Sequence, residues 1–274
     1  MISYGFKKRF SSVVVYIFLG VMAFLSIFPF LWMIIGATNT TSDVIKGKMN
    51  FGEALLVNAT TFFTQVDAPL IFWNSAKITM IATVSTLIIS SLAGYGFEIF
   101  PSRFREKLYN VMLLTLMIPF AALMIPLFML MGKFGLINTH LAVVLPTIAS
   151  AFIVFYFRQS TKAFPHELRD AARVDGLKEW QIFFLIYMPV MRSTYAAAFI
   201  IVFMTAWNSY LWPLIVLQSN DTKTITLVIS SLGSAYYPDY GAVMVGTVLA
   251  TIPTLFVFFA MQRQFVEGML GSVK

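Results

Sequence analysis

The sequence predicts an all-α polytopic membrane protein with six transmembrane helices. Three observations carry that prediction. Of 274 residues, 59% are hydrophobic and 11% charged, against about 25% charged in a soluble domain. Six stretches are long and apolar enough to cross a bilayer, which takes roughly 20 such residues. Finally, Lys and Arg gather on one side of the layout these stretches define.

The spans are read in order as 13–37, 71–97, 108–131, 141–157, 190–217 and 241–261, within a single domain 1–274. The first continues through Pro29-Phe30-Leu31-Trp32, where a secretory leader would offer a small-residue cleavage site, so it is read as a span. In the second, Gly94-Tyr95-Gly96 is too short for a phosphate loop and marks close helix packing or a helix end. Pro119, Pro126, Pro146, Pro213 and Pro253 fall in or beside the later spans. Each removes a backbone hydrogen bond and can kink a helix. An even number of spans places both termini on one side. With the N-terminus in the cytoplasm, fourteen Lys and Arg lie inside and five outside, so the positive-inside rule assigns cytoplasmic termini. A basic rim at the membrane surface then accounts for the net charge of +7 without any nucleic acid.

Several chemistries are excluded. The chain has no Cys, hence no disulfide, thiolate nucleophile or Cys-type metal site. His140 and His166 are far apart and form no metal cluster. The span interiors hold almost no ionisable side chain, which argues against proton relays and voltage sensing. No Gly-x-x-x-x-Gly-Lys-Ser/Thr loop occurs, so the chain should not hydrolyse ATP. If it moves a solute, the energy comes from another subunit. The most polar run inside a span is Thr205 to Pro213. There Trp207, Asn208, Tyr210 and Trp212 offer aromatic faces and amide or hydroxyl groups that suit a neutral sugar. The same residue types also form interfacial belts and pack helices together, and both readings stand. The Asn208 amide cannot go unpaired in lipid without cost, so it should face another helix or the solute path.

One stretch breaks the apolar pattern: ELRDAARVDGLKEWQIFFLIYMP, Glu167–Pro189, in the cytoplasmic loop between spans four and five. Pro165 suits a helix start, and Glu167 and Asp170 lie near its positive end. Leu168, Ala171 and Ala172 fall on one face by spacing, and Asp170 can pair with Arg173. Asp175-Gly176 reads as a left-handed cap. A second helix then runs from about Lys178 toward Pro189. The two alanines leave a face small enough to sit in a groove of another protein; the competing reading is a helix lying on the membrane surface.

Asp170-Ala171-Ala172, three residues, Gly176, nine residues, then Ile186-Tyr187-Met188-Pro189 resembles the EAA loop of ABC-type import permeases, with Asp170 in place of Glu and Met188 in place of Leu. Phe72-Trp73-Asn74-Ser75, Ala93–Phe97, Trp207-Asn208, Trp212-Pro213 and the tail from Gln264 to Lys274 are similar to the maltose-type carbohydrate permeases. The resemblance implies a type I ABC importer permease architecture, with an EAA coupling helix in the loop 165–189. It implies ATPase-coupling roles for Glu167, Leu168, Asp170, Ala171, Ala172, Asp175, Gly176, Ile186 and Pro189. It further implies a heterodimer with a second homologous permease and two copies of a cytoplasmic ATPase that bind ATP and magnesium. An extracellular or periplasmic solute-binding protein, a sugar substrate and the bacterial inner membrane complete the implied setting. No cofactor, metal or catalytic residue is implied for this chain itself. The alternatives are an ABC permease for a non-sugar solute, a secondary transporter and a membrane scaffold.

Overall fold

Apolar runs with hardly any internal charge satisfy their backbone groups as helices, and every regular element among the described residues is helical. The computed structural model describes residues 2–270. The Gly271–Lys274 end of the tail lies outside them, as do the side chains of Lys7, Lys8 and Arg9. In chain order the helices are α1 (Ile2–Ala37), α2 (Thr41–Ile45), α3 (Leu55–Gln65), α4 (Ala68–Ile99), α5 (Arg103–Thr115), α6 (Phe120–Lys133), α7 (His140–Val144) and α8 (Ala151–Thr161). There follow α9 (His166–Val174), α10 (Glu179–Ile182), a π-helical turn (Phe183–Tyr187), α11 (Met188–Val190), α12 (Arg192–Trp207), α13 (Leu211–Val216), α14 (Ile225–Gly233) and α15 (Tyr240–Leu270).

Three stretches are long and apolar enough to cross a membrane as single helices: Ser12–Ala37, Ala68–Ile99 and Tyr240–Gln264. These match the first, second and sixth spans. The other three are broken where single helices are expected. In the third, α5 and α6 bend by 103° at Pro119, which caps α6 with φ −59° and ψ 135°. In the fourth, α7 and α8 are separated by residues 145–150 around Pro146, and Ser150 restarts the helix by accepting from the Ile153 N–H at 3.4 Å. In the fifth, a bend of 81° precedes α12; α12 then stops at Trp207, short of 217, and Pro213 lies in the separate short helix α13. Pro29, Pro126 and Pro253 lie inside helices that remain unbroken.

The chain divides into two compact units, residues 1–67 with 229–251 and residues 68–228 with 252–274. In the first, the buried Asn58 amide donates to the carbonyls of Ala37 and Asn39, both at 2.8 Å. Asp239 accepts from the Thr41 hydroxyl at 2.9 Å and from the Ala242 N–H at 3.2 Å. Side chains 12–27 of α1 are exposed, as a lipid-facing span requires.

In the second unit α4 is the central helix, packed on α8 and α12. A Cβ on Gly94 would lie 2.7 Å from Phe157 Cβ and 2.8 Å from the Arg158 nitrogen. This is the close packing foreseen for that glycine. Leu87, Ile153, Phe157, Ala198 and Val202 form one buried cluster there. Ser75, Thr79, Thr83, Thr86, Ser90 and Ser91 run buried along α4, and the Ser75 hydroxyl accepts from the Ile225 N–H at 2.8 Å.

Candidate functional site

The charged stretch folds as the expected helix–turn–helix. Pro165 caps α9, Glu167 sits in its first turn and Arg173 in its last. The helix ends where Gly176 N–H donates to the Arg173 carbonyl and Leu177 N–H to the Ala172 carbonyl, both at 3.0 Å. That pair of bonds is a Schellman cap. It requires Gly176 at φ +84°, a conformation glycine adopts without steric cost.

The faces of α9 differ from the sequence reading. Ala172 is buried at 3% exposure, together with Arg169. Leu168, Ala171 and Val174 point outward, as do Glu167, Asp170 and Asp175. The two alanines, one residue apart, are about 100° apart around the helix, so Ala172 seats α9 on its own chain and the outer face is built on Ala171. Nor does Arg173 pair with Asp170. It reaches Glu179 instead, at 2.5 Å. Ile186 is half-buried against an aromatic cluster, and Pro189 is exposed in α11.

Glu179 is the residue that sequence reasoning passed over. Its Oε1 accepts from Arg169 Nη2 at 3.1 Å and from Arg173 Nε at 2.6 Å. Its Oε2 accepts from the Tyr95 hydroxyl at 3.4 Å. Burial pushes the Glu179 carboxyl up, but hydrogen bonds from Arg173 and Arg169 outweigh burial and hold it below the usual carboxylate range. Beneath it Tyr95 meets Phe183 and Tyr187, with ring centroids at 5.3 and 4.8 Å, and the Tyr187 hydroxyl lies 2.7 Å from that of Thr161.

The four pathway candidates are not brought together. Trp207 is buried on α12, stacked on Phe203 with centroids 6.0 Å apart, and lines an apolar groove with Phe72, Trp73 and Phe256. Trp212 is buried and donates to the Ala142 carbonyl at 2.9 Å. Tyr210 is half-buried. Asn208 caps α12, is exposed in this chain, and donates to the Met204 carbonyl of its own helix at 2.9 Å; it is not among the residues that line the cavity beside Thr205 and Ser209.

A cavity with hydroxyl groups set in a mainly apolar wall lies on the other side of α12. About 310 Å³ in volume, it is lined by the hydroxyl residues Thr86, Thr147, Ser150, Thr205 and Ser209 and by Phe120 and Phe152, and no lining residue is ionisable. The size is at the lower end for small-molecule pockets. Thr86, Thr147 and Thr205 already donate to backbone carbonyls at 3.1, 2.7 and 2.7 Å, which leaves their oxygens as acceptors. Thr205 and Ser209 were visible in sequence as an i, i+4 pair, with Trp207 pointing away between them.

Residues 86–271 match the family described as binding-protein-dependent transport system inner membrane component. The chain is 72% identical to the lactose transport system permease protein LacG of Rhizobium radiobacter, over 98% of both chains. It is 36% identical to the arabinooligosaccharides transport system permease protein AraQ of Halalkalibacterium halodurans, over 92% of this chain and 93% of that one. Its fold is similar to a chain in the crystal structure of a bacterial ABC transporter involved in the import of the acidic polysaccharide alginate. There the TM-score is 0.80 at 19% identity, over 94% of this chain and 97% of the other.

Proposed function

The chain belongs to the inner-membrane components of binding-protein-dependent transport systems, and from that premise we propose that it forms half of an import pathway for a neutral sugar or oligosaccharide. A second homologous permease supplies the other half. Two copies of a cytoplasmic ATPase, holding ATP and magnesium, supply the energy, and an extracellular solute-binding protein delivers the sugar. Both termini and the loop 165–189 face the cytoplasm. The outer face of α9, with Glu167, Leu168, Asp170, Ala171 and Asp175, meets the ATPase, while Ala172, Gly176, Ile186 and Pro189 hold that face in shape. ATP-driven closure of the ATPase then shifts the pathway between two states, each favoured by its own contacts.

The observation that carries the solute class is the uncharged cavity, with five hydroxyl-bearing residues in a mainly apolar wall. Sugar hydroxyls donate to its free acceptor oxygens, and the rings of Phe120 and Phe152 suit the C–H faces of a pyranose. An anionic solute would be left without a cation to pair its charge, which is costly away from water. The similarity to a lactose permease over nearly the whole chain supports the same class.

The test reconstitutes the full assembly in liposomes with its binding protein and measures ATP hydrolysis and uptake with lactose, an arabinooligosaccharide and an acidic oligosaccharide. Stimulation by the neutral sugars is expected. Stimulation by the acidic one alone would overturn the reading.

A further inference from the structure

We propose that Glu179 is a positioning residue for import: its carboxylate clasps α9 to α4, so that a displacement of α9 moves the helix that lines the cavity. The proposal rests on the reading of α9 as the surface that meets the ATPase.

The covalent route from α9 to the pathway is soft. It passes the glycine turn at Gly176, the π-helical turn Phe183–Tyr187 and the 81° bend before α12. Backbone joints of this kind absorb motion. A lateral route is shorter. Arg169 and Arg173 of α9 both end on Glu179, and Glu179 ends on Tyr95 of α4. The Arg169 guanidinium lies 5.0 Å from the centroid of the Phe100 ring, just beyond the same end of α4. From Tyr95, α4 runs unbroken to Thr86 and Ala82, which line the cavity. One carboxylate thus joins three side chains from two elements: the arginine bonds at 3.1 and 2.6 Å are charge-assisted, the stronger kind, and the longer Tyr95 contact at 3.4 Å is backed by the ring packing beneath it. The aromatic floor of Tyr95, Phe183 and Tyr187 keeps the clasp in place from below.

The test compares the wild-type assembly with E179Q, which keeps the shape and removes the charge, and with E179L. The first readout is labelled lactose moved per ATP hydrolysed in liposomes, on equal amounts of purified assembly. E179Q is expected to lower that ratio roughly tenfold or more, the scale of losing hydrogen bonds to a charged group, and E179L at least as much. A wild-type ratio in E179Q overturns the proposal, as does a loss that only tracks the amount of assembly recovered. The second readout is hydrogen exchange without solute. In the wild type the amides of α9 and of residues 96–99 are expected to open as one unit, and E179Q should separate them. Separate opening in the wild type already overturns the clasp. A wild-type assembly that moves no lactose counts against the sugar reading instead, and the exchange experiment still decides the clasp.

Discussion

Replacing Gly176 with Pro should uncouple transport while leaving the spans inserted. Gly176 has φ +84°, and an added Cβ would meet nothing within 4 Å, so the penalty is conformational and not steric. For an L-residue a left-handed backbone costs roughly 1–2 kcal/mol. Proline is locked near φ −65° and cannot reach the turn at all. It also deletes the 3.0 Å bond from Gly176 N–H to the Arg173 carbonyl, worth about 0.5–1.5 kcal/mol. Together these come to at least about 1.5–3.5 kcal/mol, which lowers the population of the intact turn by at least about 10- to 400-fold. Gly176→Ala should cost only the left-handed backbone penalty of about 1–2 kcal/mol, keep the hydrogen bond, and act as a graded control. The assay is sugar uptake and sugar-stimulated ATP hydrolysis at matched membrane protein levels. The Ala variant should retain part of the activity and the Pro variant almost none. Full uptake by Gly176→Pro would remove the Schellman turn from the mechanism.

Four further predictions follow from the same geometry. Ala171→Trp should leave the permease stable but weaken recovery of the ATPase in a pull-down, whereas Ala172→Trp should overpack its buried seat at a cost of about 1–3 kcal/mol and lower the melting temperature of the permease itself; the opposite pattern would reverse the assignment of the two faces. Asn208→Leu should change uptake of lactose and of an arabinooligosaccharide in equal proportion, while Ser209→Ala should shift their ratio, because only Ser209 lines the cavity. Gly94→Val should destabilise the detergent-solubilised protein by about 1–3 kcal/mol or more, read by thermal melting, since the Cβ would strike Phe157 and the backbone of Arg158. The Glu179 carboxyl has a depressed pKa, so its contribution is complete above the ordinary carboxylate range and is lost as pH falls through the lower folded value. Fluorescence of a variant keeping Trp180 as its single Trp should therefore be flat through neutral pH and change only below that range; a transition near neutrality would show that another group controls the loop.

Composition and charge bias made the membrane class legible, because hydrocarbon admits few alternatives to the helix. The breaks were not legible in the same way. Pro126 and Pro253 sit inside unbroken helices while Pro119, Pro146 and Pro213 flank interruptions, and nothing local to each proline separates the two groups. In the loop 165–189, Pro165, Gly176 and the spacing between them specified the helix and its end, since caps are local physics. Which alanine faces inward was not specified, because burial is decided by the chain that packs against α9. Glu179 was invisible for the same reason: its partner Tyr95 lies 84 residues earlier. Trp207 and Trp212 drew attention as large aromatics, yet both are consumed in packing, and the smaller hydroxyls of Thr205 and Ser209 face the cavity.

The π-helical turn at Phe183–Tyr187 gives the nine residues between Gly176 and Ile186 a physical meaning. A π turn holds one residue more than an α turn, and each residue advances an α-helix by about 100°. The length of that interval is therefore an angular quantity, which sets the azimuth at which Tyr187 and Pro189 leave the loop. Were the segment to regularise to α-helix without losing a residue, Tyr187 and the residues after it in the same helix would turn about 100° further around its axis. The π turn takes up the extra residue, and so keeps the Tyr187 ring against Tyr95 and its hydroxyl on Thr161.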